Sequence, residues 1–318
     1  MGTLRLHLLG PVRVERRGMP VRGFESRKAL GLLCYLAAER QPLSRAHLAD
    51  MFWCDKPEAR GLGNLSRVLH NLASLMPGCL ATNRRSIQWQ GGSRCWLDLD
   101  AFDELAGKNE AKQLAEAVDL YRNDFMAGFT IDDCPELEVW LARERQHWRD
   151  RMIRILGDLG SYCSRNQDIH RALDYTRRLV RMEPWREEAH RELMRLLARS
   201  GQRTAALAHY QSCRQELAQG LGIEPSEETS QLYQRIRQAE SASPPHLPVE
   251  TTPLVDREAE LAELSRRLMD PSCRLLTIVG PGGIGKTRVA IKAARECTDS
   301  FLDGVYFVEL TGVLSSKF

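Results

Sequence analysis

The chain has 318 residues, 43% hydrophobic and 27% charged, a globular composition with length for two or three domains. No run approaches the roughly 18 apolar residues of a membrane helix, no secretory pattern opens the chain, and the nine cysteines form neither a C-x-x-C nor a zinc-spaced Cys/His pair. Residues 1–97 carry 15 Lys and Arg against 6 Asp and Glu, a net charge of +9 that leaves −6 for the remainder, so a polyanion partner is expected at the N-terminal end.

Residues 3–9 alternate through Leu4, Leu6 and Leu8, and after Gly10-Pro11 a second strand over 12–15 leads to a turn at Gly18. A helix is expected over 24–40, with Leu30, Leu33, Cys34 and Ala37 on its buried face. Ser44 is placed to cap the next helix, whose inner face holds Leu48, Met51 and Phe52. A longer helix follows. Asp55 and Glu58 have capping-box spacing, Pro57 falls in the first turn, and Leu62, Leu65, Leu69, Leu72 and Met76 recur at helical spacing before Pro77-Gly78. That stripe leaves Arg60, Asn64, Arg67 and Asn71 outward, residue types that reach base edges or phosphates in a major groove. Gly61 and Gly63 each cost roughly 1 kcal/mol relative to Ala in a helix interior. Residues 79–90 alternate around Ile87 and Trp89 and read as a hairpin with Asn83, Arg84 and Arg85 at its tip and a turn at Gly91-Gly92.

With Leu8-Leu9-Gly10-Pro11, Ser44-Arg45, Phe52-Trp53 and Asn64-Leu65 in place, residues 1–97 resemble the OmpR-type winged helix of SARP-type transcriptional regulators. The resemblance implies that the longer helix enters the major groove of double-stranded DNA while the wing touches backbone or minor groove. Arg45, Arg84 and Arg85 then anchor phosphates.

Residues 98–239 read as nearly all helix. Arg171-Ala172-Leu173-Asp174-Tyr175 and Ala205-Ala206-Leu207-Ala208-His209 lie 34 residues apart, the tetratricopeptide period, with Gly201 at a turn and Pro184 opening a helix near Trp185. Trp140, Trp148, Trp185, Tyr175 and Tyr210 are expected as packing residues rather than a ligand cage. Through Leu120-Tyr121-Arg122, Trp140, Glu187-Glu188-Ala189-His190-Arg191 and Ile223-Glu224-Pro225-Ser226, the segment resembles the bacterial transcriptional activator domain that follows SARP winged helices. That resemblance implies contacts with RNA polymerase or with a second copy of the chain on DNA repeats.

Residues 240–252 form a Pro/Ser-rich linker. In 253–318, a short apolar strand over 275–279 precedes Gly280-Pro281-Gly282-Gly283-Ile284-Gly285-Lys286-Thr287 and a helix, the P-loop pattern. Backbone N–H groups at Gly280, Gly282, Gly283 and Gly285 are suited to phosphate oxygens, Lys286 to the terminal phosphates, and Thr287 to Mg²⁺. With Leu254 to Leu261 upstream, Arg257 among them, the stretch resembles the start of a STAND or NB-ARC ATPase, which implies ATP or ADP with Mg²⁺ as ligand. A further strand is expected over 305–310. The segment reads as the beginning of such a domain, poorly stable alone and without hydrolysis.

The expected fold class is thus multidomain and mainly α: a winged helix-turn-helix, a TPR-like all-α repeat domain, and a partial P-loop α/β segment. The expected function is a cytoplasmic, sequence-specific DNA-binding regulator that is not an enzyme. The rival readings are a STAND-type ATPase switch and an interaction scaffold whose winged helix does not read DNA.

Overall fold

The computed structural model describes residues 4–91, 95–238, 247–248, 257–270, 272–298, 301 and 305–310, and the chain forms two compact units, Met1–Ile155 and Leu156–Phe318. Gly92, Asp256 and most of the expected linker lie outside the described residues.

The first unit begins with β1 (Leu4–His7) antiparallel to β2 (Arg13–Arg16), Leu6 facing Val14, and a short β3 (Met19–Pro20) beyond. Helix α1 (Arg27–Glu39) starts later than the sequence suggests, because the Ser26 hydroxyl accepts from the Ala29 N–H and sets the cap. It is buried on almost every side, from Ala29 through Gly31–Ala37 apart from Leu30, and is the post around which the unit packs. A Cβ at Gly31 would stand 2.7 Å from Ile131 Cδ1, so glycine is what lets the later loop lie against this helix.

Then come β4 (Leu43–Ser44), α2 (Arg45–Trp53) and α3 (Glu58–Leu75). Ser44 caps α2 through the His47 N–H at 3.0 Å, as its position foretells. The Asp55–Glu58 capping box does not form. Pro57, at φ −55° and ψ 143°, is the last non-helical residue, so the helix begins at Glu58 and Asp55 stands too far upstream; it pairs with Lys56 at 2.7 Å instead. Leu65, Val68, Leu69 and Leu72 are buried along α3, while Leu62 is only half-buried. The hairpin β5 (Leu80–Thr82) and β6 (Ser86–Trp89) forms as expected, with β4 against the free edge of β6 in the order β4-β6-β5.

A strand that sequence reading passes over, β7 (Cys95–Leu97), runs parallel to β1 and completes the first sheet in the order β3-β2-β1-β7. It delivers Asp98, the first residue of α4 (Asp98–Gly107), beneath the end of β1. One oxygen of the buried Asp98 carboxylate accepts from the Leu8 N–H at 2.7 Å and the Leu9 N–H at 2.8 Å. After α5 (Ala111–Leu120) the chain returns to the same place: Arg122 N–H donates to Leu9 O, Met126 N–H to Leu8 O and Ala127 N–H to Gly10 O. Leu8-Leu9-Gly10 is therefore clasped by backbone and carboxylate from far along the chain. Gly10, at φ 137°, admits the approach, since a Cβ there would lie 3.3 Å from Arg122 Cβ.

Helix α6 (Pro135–Arg165) contributes its first part to this unit. Trp140 packs edge-on against Tyr35 and Phe125, and its indole N–H donates to Glu39 at 2.7 Å. Arg145 binds the carbonyls of Phe125, Met126 and Phe129.

In the second unit, α7 (Ile169–Met182), α8 (Glu187–Arg199), α9 (Arg203–Leu221) and α10 (Glu227–Gln238) pack each on the next. Helix α8 begins two residues beyond Trp185, since Pro184 and Trp185 belong to the preceding turn. Trp140 and Trp148 are buried as expected, but Trp185 is 54% exposed: it lies against Gly220, where a Cβ would stand 2.2 Å from its indole nitrogen. The cysteines largely act as small core residues, seven of nine being buried.

Helices α11 (Glu258–Leu268) and α12 (Lys286–Glu296) pack together. The strands expected over 275–279 and 305–310 are not ladders. A strand requires a partner for its N–H and C=O groups, and among the described residues none pairs along 275–279, while 305–310 holds a single bridge at Tyr306. Leu275 at 86% and Val279 at 84% exposure stay outward, while Leu276 and Ile278 are half-buried.

Candidate nucleic-acid interface

Arg45 gathers the site. It is the first residue of α2, its backbone N–H donates to Arg85 O in the hairpin turn at 3.0 Å, and its guanidinium donates to Ser66 Oγ on α3 at 2.8 Å. Ser66 in turn donates to Leu62 O, one turn back on its own helix. One residue thus joins the start of α2, the exposed side of α3 and the hairpin tip.

The tip itself is built by Asn83. Its side-chain oxygen accepts from the N–H groups of Arg85 and Ser86, both at 2.7 Å, and its amide donates to Ser86 Oγ, an Asx turn that leaves Arg84 and Arg85 exposed. Exposed cations at the tip and on α3 form a surface to which phosphates are attracted.

On α3 the four sequence-predicted readers divide. Arg60 and Arg67 are exposed; Asn64 and Asn71 are half-buried on the flank. Asn71 is engaged in structure, donating to Gly23 O at 3.0 Å and accepting from the Glu25 N–H at 3.3 Å, so it anchors the loop before α1 rather than facing outward. The outermost line runs instead through Arg60, Gly63, Ser66, Arg67, His70 and Ser74. The sequence held that signal in Val68: counting it with the apolar stripe turns the outer face by part of a turn, from 64 and 71 toward 63, 70 and 74.

The motif residues of the following helices are structural. Glu187 receives Ser226 N–H at 2.9 Å, Ser226 Oγ at 2.8 Å and Thr229 Oγ1 at 2.5 Å, closing the start of α10 against α8. Burial raises the Glu187 pKa, but the Thr229 and Ser226 hydrogen bonds outweigh it and hold the carboxyl below its ordinary value. His190, fully buried, stacks on His209 with ring centres 4.9 Å apart and bonds Pro184 O at 2.8 Å. Burial, then the neighbouring His190, pushes His209 down to about 4.

At the P-loop sequence, Gly280, Gly283 and Gly285 all have positive φ, at 159°, 78° and 92°, and Lys286 opens α12 with its ammonium on the carbonyls of Gly280 and Pro281 at 2.9 and 2.8 Å. Thr287 follows it in the first turn, and Gly282 completes the loop. Arg257 and Lys286 border a groove of about 590 Å³ together with Leu276, Ile278 and Val289.

Residues 97–237 match the model of the bacterial transcriptional activator domain. Over 98% of its length the chain is 30% identical to the regulatory protein AfsR of Streptomyces coelicolor, of which the match covers 34%. Over 74% of its length it is 25% identical to the transcriptional regulatory protein MoaR1 of Mycobacterium tuberculosis, of which 79% is covered. The chain thus spans about a third of the AfsR proteins it matches, each covered to 34%. Among solved structures, Mycobacterium tuberculosis EmbR in complex with a low affinity phosphopeptide is similar in fold, with a TM-score of 0.51 at 19% identity over 85% of this chain and 72% of that one. The relatives matched are thus named as regulatory proteins, and the activator-domain model covers residues 97–237 of this chain.

Proposed function

We propose that the chain is a cytoplasmic, sequence-specific regulator of transcription, an activator, that binds double-stranded promoter DNA through a winged helix formed by α1–α3 and the β5–β6 hairpin. The observation that carries this reading is the Arg45 junction, which sets the outer face of α3 and the hairpin tip side by side. In it, Arg60 and Arg67 reach base edges or nearby phosphates, Arg45, Arg84 and Arg85 anchor the backbone, and Asn64 serves the flank. The helices that follow act as tetratricopeptide-like pairs, with the fully buried Ala172 and Ala206 as the small residues of equivalent close contacts. Their partners are RNA polymerase and a second copy of the chain on neighbouring DNA repeats.

The test is selection of the full chain on a randomised duplex pool, followed by salt titration of the best site and a scrambled one. An enriched motif bound roughly 10³-fold or more above the scrambled duplex, with a steep negative salt slope, supports the reading. Weak binding without enrichment refutes it.

A second activity is favoured by the loop geometry at Lys286: binding of ATP or ADP with Mg²⁺, without turnover. The positive-φ glycines direct backbone toward the place a phosphate would take, Lys286 would release Gly280 and Pro281 for it, Thr287 would hold Mg²⁺, and Arg257 borders the groove. Nucleotide binding lost in Lys286→Ala supports this; hydrolysis abolished by that substitution would make the chain an enzyme and overturn it.

A further inference from the structure

Before α1 the chain passes along the flank of α3, and two residues of that helix hold it there. Asn71 fixes the backbone by its bonds to Gly23 O and Glu25 N–H. Arg67 takes the side chain: its Nε lies 3.3 Å from Glu25 Oε1. The two ends of this ion pair differ. The Glu25 carboxylate is 25% exposed and the Arg67 side chain 70%, so the acid lies closer in and the guanidinium has room to turn outward. Glu25 is also one of only 6 acids among 15 basic residues in 1–97, set beside a helix face whose proposed ligand is an anion.

We infer that Glu25 is a selectivity residue of this face: its carboxylate stands in for a phosphate on Arg67 and keeps that arginine from DNA until the correct site offers a better partner. The inference rests on the DNA-binding reading above. In loose, sequence-independent encounters the Arg67–Glu25 pair stays closed and Arg67 neutralises no phosphate. In the specific complex Arg67 exchanges the carboxylate for a base edge or phosphate. A surface pair of this kind is worth a factor of about 1.5 to 5, weak enough to be broken by a well-placed contact and strong enough to bias an unplaced one. Since Asn71 holds the loop backbone, the side chain is free for this role.

The experiment measures binding of the full chain to its enriched duplex and to a scrambled duplex across a salt series, for wild type, Glu25→Gln, Glu25→Asp, Arg67→Ala and the Glu25→Gln/Arg67→Ala double variant. Glu25→Gln is expected to tighten scrambled-duplex binding about 2- to 5-fold, to steepen that salt slope by roughly 0.9, the increment of one added phosphate contact, and so to lower the specificity ratio. Glu25→Asp, which keeps the charge but shortens the reach, should give a smaller gain. In the Arg67→Ala background, Glu25→Gln should change nothing. An unchanged scrambled affinity in Glu25→Gln overturns the inference, as does an equal gain without Arg67, which would make Glu25 a source of general repulsion. Absence of duplex binding by wild type overturns the DNA reading and this inference with it; wild-type binding with no response to Glu25 overturns the inference alone.

Discussion

Asp98 is the residue whose replacement tests the architecture most sharply. Its carboxylate is 1% exposed, one oxygen takes the Leu8 and Leu9 N–H groups, and the other has no hydrogen-bond partner among the described residues. Burial pushes its pKa up to about 6, against the pull of those backbone bonds. Because the folded-state value lies above the ordinary 3.8 of an aspartate, the folded protein binds more protons than the unfolded chain between the two values. Stability from this group therefore falls as pH rises from about 4 to about 6 and is level above. The difference corresponds to about 3 kcal/mol.

Asp98→Asn removes the titration and keeps an oxygen for the two N–H groups; Asp98→Ala removes both. Urea unfolding of the three proteins, followed by tryptophan fluorescence from pH 4 to 7, separates the contributions. The wild-type-minus-Asn difference should move by about 3 kcal/mol across that range, with Asn gaining as pH rises. The Asn-minus-Ala difference should stay level, at about 2 to 6 kcal/mol for two orphaned donors. A wild-type-minus-Asn gap that ignores pH, or an Asn variant no better than Ala, would refute the account of the clasp.

Three further predictions follow from close contacts and caps. Gly63 has open space around the position of a Cβ and sits mid-helix, so Gly63→Ala should raise stability by about 1 kcal/mol in the same unfolding assay. Gly31→Ala should lower it by about 1–3 kcal/mol, since its methyl would strike Ile131 and Phe129. Glu187→Gln should cost about 1–3 kcal/mol by weakening three bonds at the start of α10, and faster amide exchange at Ser226 would localise the loss.

Local signals in the sequence were reliable where one residue decides a local geometry. Ser44 capped its helix, and Asn83 with Arg84 and Arg85 marked the tip of a real hairpin. Reasoning failed where a distant partner decides. β7 is too short to show a period and exists because β1 lies beside it. Asn71 resembles a base reader until Gly23 and Glu25 fold onto it. The apolar run over 275–279 satisfies every local rule for a strand and has no neighbour among the described residues that would make it one. The exposed cations of the candidate site were legible, whereas their assembly through Arg45 and Ser66 depends on two helices and a hairpin meeting.

The clasp on Leu8-Leu9-Gly10 also bears on how the protein is made. On the ribosome, β1 emerges well before its partners: the Leu8 and Leu9 amides must wait for Asp98, and the carbonyls of Leu8 and Gly10 for Met126 and Ala127. At about 5–20 residues per second, the interval is roughly 6–24 s. For most of it, until β7 and Asp98 are made, β1 keeps a bare edge and open amides, and the carbonyls of Leu8 and Gly10 stay open to its end. Shielding of that edge during synthesis, by nascent helices or a chaperone, is expected to raise the yield of native protein.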